Sequence, residues 1–341
     1  MKYYLIIFAL AIFYSCVKDK PNAIAQPEVK LSTHKKVYVV NEGNLNGSNS
    51  SVSLYDPGTN SVIENIYQNQ NNVTLGDVAQ SLSYFNSKFY IVVNNSGKIE
   101  VCDNNFKRVN TITGLTSPRQ ILQISNSKAY ISDLYANYLQ VLNLNTNQVS
   151  STISCSGWTE NMAMIYNKVF VTNMKRDYVY IINAINDTKT DSVFVGPFAA
   201  NVLIDKNDKV WVLSAGNSTA AISAALSRIN PLTNAIEKVY TFSLTDYPGN
   251  LCFNKTKDTL YYLNNGICRM HIGDAALPAS AFINKAGRNY YGLGINHTDY
   301  TIYASDAIDF VSKSNVYIFD LNGNEKSFFK AGINANGFYF E

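Results

Sequence analysis

Lys168-Val169-Phe170-Val171-Thr172-Asn173 is a lysine, an apolar residue, an aromatic ring, a β-branched pair and an amide stop, and the phrase keeps returning along the chain. It recurs as Lys36-Val37-Tyr38-Val39-Val40-Asn41 and opens again as Lys88-Phe89-Tyr90, Lys128-Ala129-Tyr130 and Lys209-Val210-Trp211. Two further copies, Thr259-Leu260-Tyr261 and Thr301-Ile302-Tyr303, carry threonine where the others have lysine. From ring to ring the seven copies are 52, 40, 40, 41, 50 and 42 residues apart. A period near 40 built of short β-rich units is that of radially repeated sheets, in which each unit needs its neighbours to bury both faces.

Each repeat holds more than one strand. About ten residues before each ring lies another apolar stretch, such as Ile121-Leu122-Gln123-Ile124 or Asn201-Val202-Leu203-Ile204. After the ring comes a polar loop and then an alternating stretch, as in Leu139-Gln140-Val141-Leu142 and Val179-Tyr180-Ile181-Ile182. These run into turns such as Asp56-Pro57-Gly58-Thr59-Asn60, followed by a last strand like Val149-Ser150-Ser151-Thr152-Ile153. Alternation with turn chemistry at fixed offsets predicts hairpins, hence four-stranded antiparallel meanders and an all-β, seven-bladed propeller over residues 36–341. The first repeat lacks an apolar strand before its ring. The tail, Ala335-Asn336-Gly337-Phe338-Tyr339-Phe340, reads as that missing strand and is expected to close the ring in the first blade.

The N-terminal apolar run from Tyr3 to Tyr14 is shorter than the ~20 residues of a spanning helix and suits a secretory signal over residues 1–15. Ser15-Cys16 resembles a lipobox, which implies a lipidated Cys16 and a tether over residues 16–35. An ordinary signal peptide with an incidental cysteine is the alternative. A formal charge of +3 with 16% charged residues gives no reason to expect nucleic acid or an anionic membrane surface, so membrane contact is expected through the lipid anchor alone.

Cys102, Cys155, Cys252 and Cys268 form no Cys-x-x-Cys pair, which argues against zinc and favours buried free thiols. His34, His271 and His297 fall in places that cannot converge, and neither a glycine-rich phosphate loop nor a nucleophile elbow occurs. The expectation is therefore a chain that is not an enzyme and carries no metal or cofactor.

In a propeller, the loops from strand two to three and from strand four to the next blade share one face. The first set contributes Asn41, Glu42, Asn44, Asn94, Tyr135, Lys175, Arg176, Asn264, Asp306 and Phe310. The entries to the first strands contribute Gln80, Gln120, Asn161, Asn201 and Asn250, nine to eleven residues before their rings, with Arg119 beside Gln120 and Trp158 before the fourth blade. This predicts a ring of amides at the mouth of the channel, with aromatic area nearby for a ligand. The competing reading is that such amides only join backbone groups of adjacent blades. Long second-to-third loops, Asn41 to Ser51 and Ala215 to Ala225, raise walls on the same face.

Phe170-Val171-Thr172-Asn173 and Tyr38-Val39-Val40-Asn41, with the Asp/Asn-x-x-Thr-Asn turns, resemble the YVTN propeller family over residues 36–341. Lipobox, tether, Asn41-Glu42-Gly43-Asn44 and the amide-rich face are similar to a narrower group, the surface-lipoprotein propellers that work with TonB-dependent transporters, BtuG-type cobalamin binders among them. That resemblance implies a lipid-anchored outer-membrane protein facing the cell surface, which binds cobalamin or another large polar ligand and passes it to the transporter. It implies no particular binding residues. A corrin ring's amides suit a ring of Gln and Asn, Trp158 or Tyr135 suits its apolar faces, and Lys175, Arg176 or Arg119 suits its phosphate. A protein- or glycan-binding scaffold without a small-molecule ligand is the alternative.

Overall fold

The computed structural model describes residues 35–341. The signal segment, Cys16 and the tether up to residue 34 lie outside the described residues. Seven four-stranded antiparallel sheets follow one another, each running from an innermost to an outermost strand. Blade 3, for example, comprises Pro118–Ser125, Lys128–Asp133, Tyr138–Asn143 and Gln148–Ser154. Blade 1 takes its innermost strand from the tail: Ala335–Phe340 pairs with Val37–Asn41, placing Phe338 opposite Val39. The expected propeller and its closure are both present.

The repeated phrase is the second strand of each blade. Its residues are buried without alternation, as in Val37–Asn41 and Val210–Ser214, because a neighbouring blade covers each face. That is why the phrase is nearly all apolar instead of apolar at every other position. The outermost strands of blades 3 and 4 are exposed over their first five residues and are therefore rich in Ser and Thr. Apolar clusters fill the seams between blades. Tyr90, Val92 and Ile99 of blade 2, for instance, pack against Ile121, Ala129 and Ile131 of blade 3. The rings sit at the centre of these seams: Tyr38 lies 5.0 Å from Phe89, and Trp211 is fully buried against Tyr240 at 5.9 Å.

The lysine that opens the phrase also joins blades. Lys128 Nζ donates to Ala184 O at 2.8 Å and pairs with Asp187 at 2.6 Å, so blade 3 grips the outer turn of blade 4. Lys168 repeats the contact one blade on, donating to Pro231 O at 2.7 Å and Asn234 Oδ1 at 2.9 Å. Cys102, Cys155, Cys252 and Cys268 are free thiols, and burial pushes them up, to about 12 for the first three and about 11 for Cys268. At neutral pH they pack as small apolar side chains.

Candidate functional site

A β-bulge interrupts the start of every innermost strand at the same depth. The register slips after Ala79, Pro118, Thr159, Ala199, Gly249 and Tyr290, and again where Ala335 and Gly337 face Asn41 and Val40. A bulge turns an extra side chain out of the sheet. Here the turned-out residues are Asn336, Gln80, Arg119, Glu160, Ala200, Asn250 and Tyr291, one per blade from the first to the seventh. All seven line a funnel of about 480 Å³ at the channel mouth. Asn250 takes a left-handed φ of +53° there, which asparagine tolerates better than most residues.

The last two positions of the repeated phrase hold these bulges in place. Ser132 Oγ accepts from Gln120 N at 3.1 Å within its own blade and donates to Glu160 O of the next blade at 2.5 Å. Thr172 accepts from Asn161 N at 2.8 Å and reaches Ala200 O at 3.4 Å, and Ser305 joins Gly292 N to Ala335 O in the same way. One hydroxyl thus satisfies an amide freed by the bulge and a carbonyl across the seam. The final Asn or Asp caps the loops above: Asp133 accepts from the amides of Thr116, Ser117 and Tyr135, and Asn173 from those of Trp158, Lys175 and Arg176.

The residues singled out in the sequence divide accordingly. Gln80, Arg119 and Asn250 stand at the bulge positions, while Gln120, Asn161 and Asn201 follow one residue later and also line the funnel, as does Glu42. Asn41 and Asp306 end second strands, and Asn94 and Asn264 directly follow theirs. Asn41 is fully buried with its amide on Ser51, Ser53 and Gly332, and Asn94 is buried on Ser117 and Pro118. Asn264 accepts from Tyr247 N, and Asp306 from Asn289 N and Ile308 N. Asn44 bonds Asn49 and Phe310 O within the walls.

Tyr135 and Trp158 meet edge to face at 5.8 Å, with Lys175 over the indole at 5.4 Å and Arg176 exposed beside it. Phe310 leans on the funnel residue Tyr291 at 5.5 Å. Glu160, Ala200, Tyr291 and Asn336 were not picked out by spacing. Counted back from each ring, the bulge residues of blades 2 to 7 stand 10, 11, 10, 11, 11 and 12 residues away, because the intervening turn varies in length.

Two linked networks wall the funnel on one side. Arg119 donates from Nε to Glu160 Oε2 at 2.7 Å and from a terminal nitrogen to Gln80 Oε1. Glu42 accepts from Tyr291 O–H at 2.7 Å and from Asn336 Nδ2 at 2.7 Å, and that amide also reaches Gln80 O at 3.1 Å. Burial opposes the charge on Arg119, but the Glu160 carboxylate, its hydrogen bond and the nearby Glu42 and Tyr291 together outweigh it and raise the guanidinium's pKa. Burial pushes the Glu42 carboxyl above its ordinary value, against the pull of its two hydrogen bonds.

A raised acid stabilises the fold below its unfolded pKa, near 4.3, and loses that contribution as pH rises through the folded pKa. Thermal unfolding of wild type and Glu42→Gln across pH 4 to 8 is therefore expected to show wild type losing ground as pH rises. A pH-independent gap between them would contradict this account.

Residues 35–340 match the model of DUF5074, a domain of unknown function. The chain belongs to the DUF5074 family. No curated protein matches this DUF5074 chain in sequence. Among solved structures it is similar to a quinonprotein alcohol dehydrogenase-like protein of Bacteroides thetaiotaomicron, with TM-score 0.72 and 14% identity over 90% of this chain and 78% of the other. A periplasmic gluconolactonase of Pseudomonas aeruginosa gives TM-score 0.68 and 9% identity over 89% and 99%. A virginiamycin B lyase of Staphylococcus aureus gives 0.61 and 10% over 76% and 87%. At these identities the likeness concerns the fold alone. It nevertheless corrects the expectation that the chain is not an enzyme. The same ring carries proteins named as a lactonase and a lyase, so a propeller sequence without familiar catalytic motifs does not exclude an enzyme.

Proposed function

We propose that this DUF5074 protein is a surface lipoprotein whose funnel-bearing face captures a large polar ligand, cobalamin or a related corrinoid, and passes it to a TonB-dependent outer-membrane transporter. The observation that carries the reading is the convergence of seven bulge side chains, three of them amides, on one funnel whose face also carries the exposed Tyr135 against the half-buried Trp158. The funnel is in the usual size range of small-molecule pockets, but its lining is mostly polar, which suits a polar ligand. It takes the amide-bearing edge of a macrocycle, whose apolar face then lies across the mouth against Tyr135 and Trp158, near the cations Lys175 and Arg176. Arg119 is paired with Glu160, so a ligand phosphate belongs outside, with the two exposed cations.

Titrating cyanocobalamin into purified protein is expected to give a saturable heat and a change in the corrin absorption band, both weakened in Trp158→Ala. Absence of both signals with wild type refutes the corrinoid reading.

A docking scaffold for a protein or glycan is the second reading. It is favoured by Leu45, Tyr247 and Val311, which are 70%, 75% and 66% exposed at loop tips of this same face. Large apolar side chains on a charge-poor surface are the usual content of an interface.

A further inference from the structure

The funnel is not electrically neutral. Its lining holds two carboxylates, Glu42 and Glu160, and one guanidinium, Arg119. Arg119 has its Nε on Glu160 and a terminal nitrogen on Gln80, so it offers little to an incoming anion. Glu160 is only half used. Its Oε2 takes the Arg119 hydrogen bond, while among the described residues Oε1 has no hydrogen-bond partner and is not sealed from solvent.

The next blade along the ring puts the smallest of the seven bulge residues, Ala200, into the same lining, and beyond it Asn250 has turned its amide onto the Tyr291 carbonyl. The bulge ring therefore carries a long side chain in every blade but the fifth, where Ala200 leaves a vacancy and Asn201 follows it in the lining. The vacancy follows next along the ring from Glu160, one of whose carboxylate oxygens lacks a donor.

Resting on the capture of a polar ligand at this face, and not on its being a corrinoid, which carries no ammonium, we infer that the funnel selects ligands through a donor-rich cationic group, a protonated primary amine, seated at Ala200 on the open oxygen of Glu160. An ammonium presents three donors and no acceptor, so it matches an unpaired carboxylate oxygen and adds charge attraction inside a low-dielectric cleft. A carboxylate or phosphate meets net negative charge at the same place and is disfavoured.

Glucose and two sugars that each depart from it at a single carbon separate these cases: glucosamine (ammonium at C2) and glucuronate (carboxylate at C6), titrated at low salt and followed by protein-observed NMR shifts. Glucosamine is expected to bind about tenfold more tightly than glucose, the difference expected of a charge-assisted hydrogen bond, and glucuronate more weakly than either. The preference shrinks as salt is added. Glu160→Gln removes the preference. Ala200→Leu, which leaves the ion pair intact, fills the vacancy and removes binding of all three.

Equal affinities, a glucuronate preference, or no shift with any sugar at tens of millimolar overturns the inference. So does an Ala200→Leu variant that still prefers glucosamine. The corrinoid titration is a separate experiment. A positive result there with a failed sugar series sinks this inference alone, and failure of both sinks the capture reading as well.

Discussion

Ending the chain at residue 334 is expected to abolish cooperative folding. The lost strand supplies five paired positions to Val37–Asn41, and its last backbone amide, Glu341 N, donates to Lys36 O at 3.1 Å. It also supplies three rings that fill two seams at once. Phe338 and Phe340 lie 5.9 and 5.2 Å from Tyr303 of blade 7, while Tyr339 lies 5.7 Å from Phe89 of blade 2. The three rings are half-buried, so each contributes less than the about 1.5–3 kcal/mol of a fully buried side chain, but with the five strand pairings the loss is large against the 5–15 kcal/mol that keeps a domain folded. Removal also uncovers the edge of Val37–Asn41, a fully buried strand apolar up to its final Asn41 and thus an aggregation template. Far-UV circular dichroism melts and gel filtration report the outcome. A cooperative transition within a few degrees of the full chain would show that the tail is dispensable.

The second large effect is expected at Arg119. Its side chain and that of Glu160 are 18% and 10% exposed, so truncation to alanine strands a carboxylate within the funnel wall and takes the donor from Gln80. Breaking a buried pair from one side costs about 3–5 kcal/mol, whereas replacing both partners by apolar groups of similar size is often neutral. Arg119→Ala should therefore lower the urea midpoint markedly, and Arg119→Met with Glu160→Leu should recover most of the loss. A single-mutant loss below about 1 kcal/mol, the value of a surface pair, would show that solvent already screens the pair.

The ring was legible in the sequence because a strand covered on both faces cannot alternate, and a run such as Lys168 to Asn173 at a steady period is hard to produce otherwise. The outer hairpins were legible through their turns, since Asn143, Asn183 and Asp320 each accept the amide two residues on. The funnel was less so. A bulge adds a residue to one strand without a signature in residue type, so counting from the rings placed Gln120, Asn161 and Asn201 where Arg119, Glu160 and Ala200 stand. Tyr291 and Asn336 escaped because they are not an amide-before-ring pattern and, for Asn336, because its blade is assembled from both ends of the propeller. Nor did the sequence reveal why the phrase ends in Thr-Asn or Ser-Asp, since the partners of Thr172 and Ser132 lie in the next blade.

That assembly of blade 1 makes the order of the blades along the polypeptide incidental to the ring. Residues 36 and 341 are already held together by a main-chain bond, so a gene that fuses them and starts instead at Thr146, in the exposed turn after Asn145, encodes the same set of neighbours. Such a circular permutant would trade the noncovalent latch for a peptide bond and move the seam to a surface hairpin. It would fray there, far from the funnel.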